Sequence, residues 1–146
     1  MKRYLAATLL VAFLMPVLPS AAEEETSVTV YKTPWCGCCH EWAEALNAAG
    51  YDVTTEDHEN LEPIKRMAGV PADMEGCHTA AVDGYFLEGH VPLEAISKLL
   101  DERPEVAGLA VPGMPAGSLG MGNDPDAQYS VFAISKGDAQ TSPFYE

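Results

Sequence analysis

The chain is 146 residues long, a length that suits one compact domain built on a single core. Its 22 acidic residues against 8 basic ones leave a formal charge of −14, which argues against a nucleic-acid interface or adhesion to an anionic membrane surface. The same balance suits a soluble chain that handles cations, although scattered carboxylates need do no more than keep it in solution.

At the N-terminus Lys2 and Arg3 precede an apolar run over residues 5–14, then Pro16 and the small residues Ser20-Ala21-Ala22. The run is short for a membrane span and ends in Glu23-Glu24-Glu25, so residues 1–22 read as a Sec-type signal peptide cleaved after Ala22. The expected product is a single domain over 23–146 in the bacterial periplasm, with no stable membrane anchor; full secretion is the less favoured destination. No cysteine at the cleavage site offers a lipid attachment.

Val28-Thr29-Val30-Tyr31 alternates like a strand. After the cysteine-rich segment, Trp42, Ala45, Leu46 and Ala49 recur at helical spacing until Gly50. Tyr51-Asp52-Val53-Thr54-Thr55 predicts a second strand. A second helix is expected from about Asn60, with Pro63 in its first turn and Leu61, Ile64 and Ala68 on one face. Asp83-Gly84 between two apolar runs signals a hairpin, and Pro92 opens a helix striped by Leu93, Ile96, Leu99 and Leu100. The order β-α-β-α-β-β-α predicts an α/β fold, a small sheet flanked by helices. Residues 104–128 are rich in Gly and Pro and read as a long C-terminal flap, followed by a strand over 129–134 at the sheet edge.

The chemistry concentrates in Trp35-Cys36-Gly37-Cys38-Cys39-His40, where the first strand hands over to the first helix. Cys77, followed by His78, is the remaining cysteine. At a helix start, backbone N–H groups and the helix dipole favour thiolate over thiol, which makes both a better nucleophile and a better metal ligand. Four thiolates can hold one tetrahedral ion or bridge several Cu(I) ions, and soft thiolate selects Cu(I), zinc or iron–sulfur. Zinc sites usually present two separated C-x-x-C knuckles, and iron–sulfur clusters other spacings. Copper fits the ligand softness and the compartment best.

Two alternatives use the same sulfurs. Structural disulfides would need at least one bridge inside the Cys36/Cys38/Cys39 group, a ring too small to stabilise much. A reversible Cys36–Cys39 bridge is more plausible, as a gate on metal release or as the active site of a thiol–disulfide oxidoreductase, with Cys36 as nucleophile and Cys39 as resolving thiol.

Tyr31-Lys32-Thr33-Pro34-Trp35-Cys36-Gly37-Cys38-Cys39 with Trp42, then Cys77-His78-Thr79-Ala80, Asp83-Gly84-Tyr85 and Glu88-Gly89-His90-Val91-Pro92, then Gly108-Leu109-Ala110-Val111-Pro112-Gly113-Met114-Pro115, form three ordered blocks. Together they resemble the small periplasmic copper-resistance family that includes CopG. The resemblance implies a thioredoxin-like fold, copper bound by Cys36, Cys38, Cys39 and Cys77, and a role in copper resistance alongside other periplasmic copper-handling proteins. The sequence departs from the family pattern at His40, where a small residue is usual.

Among other donors, His78 leads as a ligand or as a base tuning the thiolates, against a surface position at the hairpin end. His40 reads as exposed, His58 as solvated among acidic neighbours, and His90 as serving the turn before Pro92. Met114 and Met121 could offer thioethers to Cu(I), but packing of the loop is the simpler reading. Trp42 reads as core and Trp35 as a shield for the site.

Overall fold

A computed structural model describes residues 25–146, so the signal-peptide assignment lies outside the described residues. The elements run β1 (Ser27–Lys32), α1 (Gly37–Ala48), β2 (Asp52–Asp57), α2 (Glu62–Ala68), a 3-10 turn (Ala72–Met74), β3 (Thr79–Val82), β4 (Tyr85–Glu88), α3 (Leu93–Glu102), β5 (Val106–Ala110), β6 (Val131–Ser135) and β7 (Thr141–Tyr145). Seven strands form one sheet in the order β2-β1-β3-β4-β5-β6-β7. Strand β1 pairs parallel with β2 and antiparallel with β3, and β3 antiparallel with β4. This βαβαββα core with spatial order 2-1-3-4 is a thioredoxin-like α/β fold.

Alternation along the strands divides the apolar residues between two faces. Val28, Val30, Ala80, Val82, Leu87 and Leu109 face Trp42, Ala43 and Leu46 of α1 and Ala95, Ile96 and Leu99 of α3. Their neighbours Phe86, Ala110 and Ile134 form a smaller cluster on the other face, with Ala68 at the end of α2 and with Val70 and Met74. The Asp83-Gly84 hairpin forms as expected, both residues at positive φ. On α1 the buried stripe is Cys39, Trp42, Ala43 and Leu46, so Ala49 is solvent-facing and a cysteine takes its place in the stripe.

Two expectations change in the C-terminal part. Residues 106–110 are the inner strand β5, which pairs parallel with β4 after the α3 crossover. Val-Ala-Gly-Leu-Ala looks like loop because its small residues answer a neighbour: a Cβ at Gly108 would lie 2.2 Å from the Phe86 carbonyl oxygen. The strand expected at the sheet edge is β6, and it is internal. The edge is β7, which carries Pro143, a residue tolerated where no ladder bond is needed on one side.

Candidate metal centre

Residues Thr33–Cys36 make a tight turn closed by the Cys36 N–H to the Thr33 carbonyl, 3.1 Å. Cys36 is the N-cap of α1, and Cys38 and Cys39 lie in its first turn. Cys36 and Cys39, one helical turn apart with Cα atoms 5.4 Å apart, form a disulfide, while Cys38 and Cys77 are free thiols. The Cys38 sulfur lies 3.6 Å from that of Cys36 and 4.0 Å from that of Cys77, and Cys39 lies 3.5 Å from Cys77. A tetrahedron with metal–sulfur bonds of ~2.3 Å has edges of roughly 3.8 Å. The three closest non-bonded sulfur separations bracket that edge length, and the Cys36–Cys39 bond would have to open before all four sulfurs could act as ligands.

Cys77 reaches the cysteines of α1 because two glycines let three backbones touch. A Cβ at Gly76 would fall 2.5 Å from the Gly89 Cα, and one at Gly89 would fall 2.4 Å from the Val111 carbonyl oxygen. That packing delivers His90, centred in a three-residue turn closed by the Val91 N–H to the Gly89 carbonyl. His90 is fully buried, with Nδ1 2.6 Å from the Leu119 carbonyl oxygen and Nε2 2.9 Å from the Cys77 sulfur. A carbonyl can only accept, so Nδ1 carries the proton and the Nε2 lone pair of the neutral ring points at Cys77. Metal-ligating histidines are commonly oriented in this way, by a second-nitrogen bond to a backbone carbonyl.

His78 is fully buried, which removes the surface alternative. Its ring packs on Trp42 (centroids 4.5 Å apart) and edge-on to His90 (5.2 Å), Nδ1 is 3.5 Å from the Cys77 sulfur, and Nε2 has no hydrogen-bond partner. The four sulfurs form one group of mutually close donors, and Cys77, His78 and His90 form a second. Sequence reasoning undervalued His90, because its approach to Cys77 depends on the Gly76–Gly89 contact and not on spacing. His40 and Met114 are exposed, and Trp35 is 70% exposed, standing at the rim as no shield. His58 is half-buried, with Nε2 3.5 Å from Glu56.

The Gly/Pro-rich segment 111–128 lies against this site. Gly120 sits where a Cβ would be 2.7 Å from the Cys38 carbonyl oxygen, Leu119 supplies the acceptor for His90, and Ser118 is fully buried. Beneath Cys77 lies a feature that sequence reasoning missed. Lys65 of α2, Thr79 of β3 and Glu88 of β4 are buried together, and Lys65 pairs with Glu88. A lysine four residues after the buried Leu61, on the inward side of α2, was the available signal.

Burial and the neighbouring Cys38 push the Cys77 thiol up to about 12, so it holds its proton at neutral pH. Burial raises the Glu88 carboxyl, against the opposing pull of Lys65, Thr79 and the Gly76 N–H. Burial likewise holds His90 below the usual histidine range and His78 well below it. A buried imidazole with a depressed pKa binds fewer protons folded than unfolded, so stability is present above the unfolded value of about 6.5 and is lost as pH falls below it. The copper-free protein is therefore expected to lose thermal stability steadily from pH 7 to pH 5. His78→Leu should flatten that part of the profile; an equally steep profile in the variant would assign the loss elsewhere.

Two solved structures, named "Copper resistance protein copG- Form 2" and "Copper resistance protein copG- Form 1", are each 40% identical to this chain. Each match covers 84% of this chain and 98% of the solved one, with TM-scores of 0.78 and 0.77. The chain belongs to the CopG copper-resistance family. Residues 74–121, which hold Cys77, His78, His90 and the Leu119–Gly120 contact, also match the family described as "Protein of unknown function, DUF411". No curated protein matches the chain. For a CopG-family protein the donor set fits the metal: soft sulfurs with borderline imidazole nitrogens suit copper better than hard cations. Among the described residues no helix is long and apolar enough to cross a membrane.

Proposed function

We propose that this protein is a periplasmic copper-binding protein that sequesters Cu(I) on Cys36, Cys38, Cys39 and Cys77 and so contributes to copper resistance. The observation that carries this reading is the convergence of four sulfurs from two segments, with spacings near those of a thiolate cage. His90 Nε2 and His78 Nδ1, 2.9 Å and 3.5 Å from the Cys77 sulfur, are the nitrogen donors in reach. Residues 1–22 act as the signal that delivers the chain to the periplasm, where it exchanges copper with other copper-handling proteins.

The Cys36–Cys39 disulfide gates the site. A dithiol reductant adds two electrons and two protons, opens the bond and restores four thiols. The reverse oxidation by a disulfide-class oxidant withdraws two ligands and releases Cu(I). Anaerobic titration of the reduced mature protein with Cu(I) under a competing chelator tests the reading. Uptake of more than one copper per chain is expected, lowered in Cys38→Ser and in the disulfide form. Absence of competitive uptake would overturn it.

The disulfide at the start of α1 supports a second reading, a thiol–disulfide oxidoreductase with Cys36, the more accessible sulfur, as nucleophile and Cys39 as resolving thiol. Against it, Cys38 lies 3.6 Å from Cys36 and Cys77 lies 3.5 Å from Cys39, so the bond has two internal competitors. Disulfide reduction that is abolished by Cys36→Ser and indifferent to Cys38→Ser, together with no copper uptake, would favour the enzyme.

A further inference from the structure

We infer that the buried Lys65–Glu88–Thr79 cluster is a positioning device that clamps the backbone ahead of Cys77 and so sets where its sulfur stands among the cysteines of α1. The polar atoms account for one another closely. Glu88 accepts from the Gly76 N–H at 2.7 Å, from the Thr79 hydroxyl at 2.6 Å and from the Lys65 ammonium. Lys65 donates in addition to the Gly76 carbonyl at 3.1 Å and to Thr79 at 3.3 Å. Both polar backbone groups of Gly76 are thus held by the two members of one ion pair. Gly76 directly precedes Cys77 and lies outside the regular strands, joined only by an isolated bridge to Gly113.

Stability alone is a weak reason for such a pair. Desolvating two charges is costly, and apolar residues of the same volume often serve a core equally well. What an apolar pair cannot do is hold one glycine by its N–H and its carbonyl at once. The three side chains come from α2, β3 and β4, and Thr79 and Glu88 are register partners across the sheet. The clamp therefore ties Cys77 to the rigid sheet, while Cys36, Cys38 and Cys39 are tied to α1. Two anchored segments facing each other keep the Cys39 and Cys77 sulfurs 3.5 Å apart. Its copper consequence rests on the copper reading above; its geometric consequence does not.

A chain carrying Cys36→Ser and Cys38→Ser retains only Cys39 and Cys77. Equilibration with glutathione measures their effective concentration, as one glutathione disulfide yields two glutathione thiols and the Cys39–Cys77 bond. Adding Lys65→Met with Glu88→Gln removes both charges while leaving an amide oxygen for the Gly76 N–H. The expected result is a cooperative melt with an effective concentration at least tenfold lower. An unchanged value in the folded variant would overturn the clamp. If the double variant fails to fold, Thr79→Val decides in the same way, with a several-fold fall expected and no change overturning the clamp. In the full-cysteine chain the double variant should bind Cu(I) more weakly than its parent. If the parent takes up no copper, the copper reading fails and the glutathione value still judges the clamp.

Discussion

Trp42→Ala is expected to destabilise the protein by about 3–5 kcal/mol, the range for removing a fully buried large aromatic from a packed core. The ring has no exposed surface, stacks against His78, and donates its Nε1–H to the Val91 carbonyl at 2.9 Å. Truncation opens a cavity between α1 and the sheet and strips that carbonyl, just after His90, of its donor. The thermal midpoint should fall by roughly 10–20 °C in the copper-free protein. Trp42→Phe, which keeps most of the volume and loses the donor, should fall between the two. A loss below about 1.5 kcal/mol for the alanine variant would show that α1 is held to the sheet mainly by other contacts.

Gly89→Ala should be comparably damaging for a different reason. Gly89 adopts φ +69°, and an added Cβ would stand 2.4 Å from the Val111 carbonyl oxygen, a backbone atom that cannot swing aside. Backbone strain of about 1–3 kcal/mol combines with an overpacking cost of about 1–3 kcal/mol. Relief requires the turn bearing His90 to move away from Gly76 and Val111, and with it the Nε2 that faces Cys77. The variant is thus expected both to melt earlier and to take up Cu(I) less tightly, as read by denaturation and chelator competition. Wild-type affinity in a destabilised Gly89→Ala protein would separate the His90 geometry from the copper site.

The two substitutions mark how far local pattern could be read. Trp42 was legible as core because helical periodicity depends only on residues three and four apart. The same periodicity placed Ala49 on the buried face and overlooked Cys39, since apolarity scales count a thiol as chemistry before they count it as packing. The cysteine cluster was visible because three of its members share one helical turn. The Asp83-Gly84 hairpin was visible because its turn type demands residues tolerant of positive φ. Strand β5 was hidden: its small residues make sense only beside Phe86, a neighbour across the sheet.

His90 and the Lys65–Glu88–Thr79 cluster were hidden for the same reason. A histidine before Val-Pro looks like turn furniture, and a lysine in a short helix looks solvated. Each acquires its role from a partner at least nine residues away in the chain.

By itself the sequence determined the soft donors, the helix start that carries three of them, the α/β alternation and the apolar stripes, all properties of residues close together along the chain. Only the tertiary structure decided how closely Cys77 approaches the cysteines of α1, which nitrogen faces it and which buried charges hold it there. Those outcomes follow from strand register and from the approach of one glycine backbone to another, and neither leaves a periodic trace in local sequence.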